Sequence, residues 1–232
     1  VVEIKGLEKF APKDFAGFIS STVFLGGCNF RCPYCHNRDL VLNPEKLPTF
    51  PFDFFLDYLD SRKGWLEGIC ITGGEPLIHD DLEAFLALLK ERDLLVKIDT
   101  NGSFPSRLEH LIQKKLVDQI AMDVKAPVER YQEVTGSKVR GETILRSIDI
   151  IKKSGLKYIF RSTVVPGLVG ADDIEKISQM LNGADVFQIQ QFVPTTTLDG
   201  RYLQKKPYPK EKILEFVKIA DAYFPEVRVE GV

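Results

Sequence analysis

Three of the four cysteines, Cys28, Cys32 and Cys35, fall within eight residues in the spacing C-x3-C-x2-C. Thiolates are soft ligands that select zinc, copper(I) or iron–sulfur clusters. Close spacing of this kind points first to a metal or cluster site. A cubane iron–sulfur cluster has four iron corners and is ordinarily held by four thiolates. Three thiolates on a short loop hold three corners and leave the last iron open to another ligand. Two other readings stay open. Positions 28, 32 and 35 also repeat as one helical face, although Gly26-Gly27 before the stretch and Pro33 inside it interrupt a helix. Zinc in a Cys3His site with His36 is the other, and the adjacency of Cys35 and His36 makes joint chelation awkward.

Such a loop needs a scaffold, and the hydropathy pattern supplies one. Phe15 to Phe24 is expected as a strand running into the cysteine loop. Further strands are expected at Gly68 to Thr72, Val96 to Asp99, Gln119 to Val124, Lys157 to Val165 and Val186 to Phe192. Helices are expected between them. One covers Phe52 to Arg62, with Phe54, Phe55 and Leu59 apolar. One is capped by Asp80 and carries Leu82, Phe85, Leu86 and Leu89. Others cover Leu108 to Lys115, Glu142 to Ser154 with Gly155 as its stop, and Asp172 or Asp173 to Leu181. A last helix from Pro209 to Tyr223 carries Ile213, Leu214, Val217 and Ala220, and Val227 to Val229 reads as a terminal strand. Alternation of this kind predicts an α/β fold of right-handed β-α-β units with a parallel sheet. It does not separate an open sheet from a curved partial barrel.

Ligands of parallel α/β folds sit at the carboxyl ends of the strands. Those ends carry Gly73-Gly74-Glu75-Pro76, Asp99-Thr100-Asn101-Gly102, Asp123-Val124-Lys125, Arg161 with Thr163, and Gln188 with Gln190 before Pro194. Gly73-Gly74 permits close backbone approach to a ligand; alone it also reads as a turn, and Glu75 as a group bonding neighbouring backbone. Asn101-Gly102 alone is a turn signal. Two aspartates, Asp99 and Asp123, facing one small space need a counter-charge, since unpaired buried charge is expensive. Gln188 and Gln190 share one face at period two, placed to hydrogen-bond an incoming backbone or simply to fill a polar mouth. Cys70, inside an apolar strand, reads as inert core, and His110 as a surface residue.

The loop, with Tyr34 just before its last cysteine, resembles the cluster loop of the radical S-adenosylmethionine enzymes. The longer string Arg31-Cys32-Pro33-Tyr34-Cys35-His36-Asn37 resembles the activating enzymes of glycyl radical proteins. The resemblance covers nearly the whole chain. It implies a partial (β/α)6 barrel, TIM-like with parallel strands, and a single domain over residues 1–232, with a core of about 15–194 and a C-terminal helix and strand at about 209–230. It implies a [4Fe-4S] cluster on Cys28, Cys32 and Cys35, whose open iron chelates S-adenosylmethionine and reductively cleaves it to a 5′-deoxyadenosyl radical. Cys28, Cys32, Cys35 and Lys125 would form the catalytic set. Tyr34, Cys35, His36, Gly73, Gly74, Glu75, Asp99, Asp123, Lys125 and Arg161 would lie beside the cofactor. A monovalent cation would sit near Asp99, Thr100 and Asp123. Flavodoxin or ferredoxin would donate the electron. The substrate would be a glycine in a glycyl radical enzyme, and the Asp123-Val124-Lys125-Ala126-Pro127 segment looks most like an activator of anaerobic ribonucleoside-triphosphate reductase. Two features depart from the family pattern. No histidine follows Pro194, which leaves Thr195 as a weak ribose contact, and no second cysteine cluster marks an inserted ferredoxin-like domain.

The composition sets outer limits. With 44% hydrophobic and 28% charged residues over 232, the chain reads as an ordinary globular protein. A net charge of −2 gives no electrostatic case for nucleic acid or an anionic membrane. No apolar run reaches the roughly 18 residues of a membrane span, and the N-terminal Val1-Val2-Glu3-Ile4-Lys5 lacks a signal-peptide pattern. The clustered cysteines do not form a secreted disulfide framework, so a reducing cytoplasm is expected. Alternatives are a pyruvate formate-lyase-type activator, a radical enzyme acting on a small molecule such as a modified nucleobase, and a non-catalytic zinc or iron–sulfur protein.

Overall fold

The first strand, β1 (Ile4–Glu8), is one that the hydropathy pattern does not announce. It pairs antiparallel with β2 (Ser20–Leu25). In this computed structural model residues 2–232 are described; Val1 of the N-terminal stretch lies outside them. The strand expected from Phe15 begins only at Ser20, because Gly17 at φ +92° turns the chain and Phe15 packs edge-on against Phe18, 4.9 Å between ring centroids. The chain forms two compact units. One runs to Asn29 and takes in Asp39–Thr100 and Ser106–Ile120; the other holds Phe30–Arg38, Asn101–Pro105 and Ala121–Val232.

From Asp39 onward the short α1 (Arg38–Leu42) belongs to the first unit, which continues with α2 (Phe52–Ser61), β3 (Gly68–Gly73), α3 (Leu82–Lys90) and β4 (Leu95–Thr100). Strands β2, β3 and β4 run parallel, with Thr22 opposite Cys70 and Cys70 opposite Lys97. The apolar stripe of α3 is buried as expected, at Leu82, Phe85, Leu86 and Leu89. Its N-cap is Asp81, not the expected Asp80, whose carboxylate instead pairs with Arg107. On α2 only Phe55 and Leu59 are buried, and Phe54, expected on the same apolar face, is 66% exposed. Residues 54 and 55 stand ~100° apart on a helix of 3.6 residues per turn, so one turns out where the other turns in. The next helix, α4 (Pro105–Gln113), starts three residues earlier than expected, with Pro105 in the first turn where its missing N–H does no harm.

Strand β5 (Gln119–Asp123) starts among the first unit's residues and passes at Ala121 into the second, which continues with the five-residue α5 (Tyr131–Thr135), α6 (Gly141–Lys153), β6 (Lys157–Val164), α7 (Ala171–Leu181), β7 (Val186–Gln191), α8 (Lys210–Ala220) and β8 (Glu226–Glu230). Strands β6, β7 and β8 run parallel. Gly155 at φ +72° stops α6, and Asp173 accepts the Gly170 N–H at 3.0 Å to close the start of α7. Helix α8 buries Ile213, Phe216 and Ala220, whereas Leu214 is 48% exposed and faces away from the core. Among the described residues no helix is long and apolar enough to cross a membrane.

Burial separates the two kinds of apolar residue. Leu86 is 0% exposed, so Leu86→Ala is expected to lower stability by about 3 kcal/mol. Phe54→Ala should stay within about 0.5 kcal/mol of the parent. Urea denaturation of the three proteins measures both.

Candidate active site

The cysteine loop leaves β2 at Leu25 and has no helix or strand until α1 begins at Arg38. Much of its backbone must therefore be satisfied by groups outside it. In the first unit the Gly27 N–H donates to the Leu40 carbonyl at 2.7 Å, and the Gly27 carbonyl accepts the Glu75 N–H at 2.8 Å. The Leu25 carbonyl accepts the Gly74 N–H at 2.9 Å. His79 Nε2 lies 2.9 Å from the Gly26 carbonyl. Gly27 and Gly73 have φ of +81° and +116°. A Cβ on Gly74 would lie 1.7 Å from the Gly27 carbonyl oxygen, and one on Gly73 2.4 Å from that of Leu25. The close approach that Gly73-Gly74 permits is thus between two backbone segments, one of them ending at Gly27, the residue before Cys28.

Glu75 is fully buried. Its Oε1 accepts the Leu77 N–H at 3.0 Å and the Thr100 hydroxyl at 2.8 Å, so it bonds neighbouring backbone and fixes the end of β4. Asp99 forms an ion pair with Lys97, and Oδ1 also accepts the Cys70 thiol at 3.6 Å. Lys97 Nζ donates to Cys70 Sγ at 3.6 Å. Cys70 is therefore a member of a buried polar group, not the inert core residue expected from its apolar neighbours. Lys97 was not singled out in the sequence, although a lysine in the middle of Leu94-Leu95-Val96-Lys97-Ile98 is itself a signal, since lysine is rarely buried unless paired.

The second unit holds the rest of the loop. The Arg31 N–H donates to the Thr135 carbonyl at 2.7 Å, the Pro33 carbonyl accepts the Asp199 N–H at 2.9 Å, and Cys35 N–H bonds Cys32 O at 3.1 Å. Phe30 packs edge-on against Tyr131, 6.2 Å between ring centroids. Helix α5, too short to leave a periodic signal, is the buttress. It ends at Gly136 with φ +56°, and a Cβ there would stand 3.0 Å from the Arg31 carbonyl.

Asp123 accepts from Arg161 Nε at 2.8 Å and from Lys125 Nζ at 3.0 Å. Burial pushes its carboxyl up, but the two cations outweigh that and hold it well below the usual carboxylate range. Lys125 is likewise desolvated, and Asp123 with the nearby cysteines holds it above the usual lysine value. The Lys125 N–H donates to the Tyr131 hydroxyl at 3.3 Å. Burial pushes the Cys35 thiol up, and the Lys125 ammonium pulls the other way. His36 faces Phe192 edge-on and bonds the Val193 backbone, and burial lowers its pKa. Tyr34 is 4% exposed and its hydroxyl has no hydrogen-bond partner among the described residues.

Gln188 and Gln190 share a face, as expected, and both side-chain amides donate to Glu230 of β8, at 2.6 and 2.9 Å. Thr195 is exposed in a turn. His110 is at the surface, 2.9 Å from Glu83. Among the described residues no three His, Cys, Asp or Glu side chains are grouped to hold a metal ion; Cys28 belongs to the first unit, Cys32 and Cys35 to the second.

Residues 22–181 match the family described as the Radical SAM superfamily. A protein of Methanocaldococcus jannaschii, assigned as a glycyl-radical enzyme activating enzyme, is 36% identical over 99% of this chain and 96% of its own length. The pyruvate formate-lyase-activating enzyme of Streptococcus mutans is 28% identical over 90% of this chain and 84% of its own. Among solved structures, Streptococcus suis SuiB bound to S-adenosylmethionine superposes with a TM-score of 0.67 at 18% identity. That match covers 88% of this chain, which spans about half (48%) of SuiB. This likeness shows the fold, α/β with parallel strands.

Two outcomes follow from the geometry. Gly74→Val drives a branched side chain into the Gly27 carbonyl, so the loop before Cys28 must move. The variant is expected to lose iron after anaerobic reconstitution as well as affinity for S-adenosylmethionine; full iron content with weakened affinity would instead mark Gly74 as a ligand contact only.

Asp123→Asn leaves Lys125 and Arg161 without their shared carboxylate and should destabilise by roughly 3 kcal/mol. The depressed Asp123 pKa gives stability above its unfolded value of about 3.9, lost as pH falls through the folded value. The raised Lys125 pKa gives stability below about 10.4, lost as pH rises through its folded value. The difference between parent and variant in urea should therefore be flat from about pH 5 to 9 and narrow in acid.

Proposed function

Because the chain belongs to the radical SAM superfamily, within its group of glycyl-radical enzyme activating enzymes, we propose that it abstracts a hydrogen atom from a backbone glycine of a glycyl radical enzyme. We take the partner to be an anaerobic ribonucleoside-triphosphate reductase, on the strength of the Asp123-Val124-Lys125-Ala126-Pro127 segment. The observation that carries the reading is the cysteine loop itself. Its three thiols are the soft donor set that suits a [4Fe-4S] cluster. A buried Tyr34 hydroxyl without a partner, next to Cys35, is an orphan that a bound group would satisfy.

Cys28, Cys32 and Cys35 would hold the cluster, which with S-adenosylmethionine supplies the one-electron and radical chemistry. The chain's own residues bind and orient. Lys125 keeps its proton across the working range because Asp123 stands against it, and it offers an ammonium to a carboxylate or ribose. Arg161 holds Asp123 from the other side and fixes the orientation of Lys125 through it. Glu75 and Thr100 lock the ends of β3 and β4, which sets where the Gly-Gly and Asp-Thr segments present their backbone. A flavodoxin or ferredoxin would deliver the electron, in the cytoplasm.

The substrate glycine would lie on a flexible loop of the partner. A glycine-loop peptide, or the intact reductase, deuterated at the glycine alpha carbon tests this. Deuterium is expected to appear in 5′-deoxyadenosine. Transfer from a small metabolite and from neither protein substrate would replace this reading with that of a small-molecule enzyme.

A further inference from the structure

Lys97 sits in the middle of β4 between Val96 and Ile98, both 0% exposed, and its own side chain is 5% exposed. A lysine this far from water retains its charge only against a partner. Its partner is Asp99, two residues further along the same face. Cys70, opposite Lys97 in the parallel register, completes the group. Lys97 donates to Asp99 Oδ1 and to Cys70 Sγ, and the Cys70 thiol donates to the same Oδ1. Each of the three side chains thus bonds the other two.

We propose that Lys97 is a tethered counter-cation that takes the place of a free monovalent cation at Asp99. Asp99 and Thr100 end β4, and Thr100 is already locked to Glu75. A carboxylate beside them needs a positive charge within a few ångströms. An alkali cation from solution would supply it at a concentration set by the surroundings, whereas the lysine supplies it from within β4. Lys97 is thereby a positioning residue for this strand end. That the strand end meets the cofactor rests on the proposed function; the counter-cation role does not.

The test compares the parent, Lys97→Met and Lys97→Met/Asp99→Asn in potassium, sodium or choline chloride at equal ionic strength. Thermal midpoint and affinity for S-adenosylmethionine of the anaerobically reconstituted protein are read in each salt. The parent midpoint should be the same in all three. Lys97→Met should melt about 10 °C lower in choline and recover at least half of that, saturably, with potassium or sodium, while the double variant is indifferent to the salt. A parent that gains stability saturably from potassium or sodium overturns the proposal. So does a Lys97→Met protein that matches the parent in choline, or one that no alkali cation restores. If Lys97→Met does not fold, the double variant decides: folding without salt preference upholds the role, and failure to fold overturns it. An affinity that ignores all these changes while the midpoint responds upholds the counter-cation and removes only Asp99 from the cofactor site.

Discussion

The 1.7 Å that would separate a Gly74 Cβ from the Gly27 carbonyl oxygen is the constraint on which the first half of the cysteine loop depends. A loop with no secondary structure has no ladder of its own, so its position is inherited from whatever its carbonyls and N–H groups bond. Gly74 lets the exit of β3 pass directly beneath Gly27, and the Glu75 N–H then reaches the Gly27 carbonyl at 2.8 Å. The same turn buries the Glu75 carboxylate, which would be costly without the Leu77 N–H and the Thr100 hydroxyl to receive it. One glycine thus links the loop before Cys28 to the ends of two neighbouring strands. The second half is anchored independently, by α5 at Arg31 and by the Asp199 N–H at Pro33.

Each unit also neutralises its own strand-end carboxylate. Asp123 takes Arg161 and Lys125; Asp99 takes Lys97. These are short-range arrangements between side chains at most a quarter exposed, where an unmatched charge is far more expensive than at the surface. The desolvation that would push the Asp123 carboxyl up is overcome only because two cations face it. Asp123 and Lys125 therefore keep their charges through the neutral range, which suits them to positioning more than to proton transfer.

How far this was legible in the sequence depended on the kind of signal. Strands β2 to β8 and the long helices were readable because period-two and 3.6-residue patterns repeat over enough positions to stand out. β1 was not, since Ile4–Glu8 mixes apolar and polar residues on an edge strand. α5 was not, since five residues make little more than one turn. Phe54 and Leu214 were misplaced because an apolar residue beside a stripe is indistinguishable from one on it until the helix docks. At the site, the cysteines stood out by their spacing, and Asp123 with Lys125 and the two glycines by their place at strand ends. What spacing hid was partnership: that Gly74 faces Gly27, that Glu75 bonds Thr100, and that Cys70 shares a carboxylate with Lys97. Those pairings join residues 25 to 47 positions apart, and only the packed strands bring them together.

The polar face of β6, β7 and β8 shows the same difference between position and partnership. Period-two spacing correctly puts Gln188 and Gln190 on one face, opposite Arg161 and Thr163 on one side and Arg228 and Glu230 on the other. An incoming backbone would ordinarily meet two amide donors there. Both amides, however, donate to a single Glu230 carboxylate oxygen, so the face presents a carboxylate held in place by two amides. A carboxylate accepts and does not donate. The groups it suits are N–H donors, and a peptide loop offers those as readily as carbonyls. Glu230 lies on the last strand, where register with Gln190 fixes it, so the character of this face is decided by residues 40 and 42 positions apart and becomes visible only once β7 and β8 are paired.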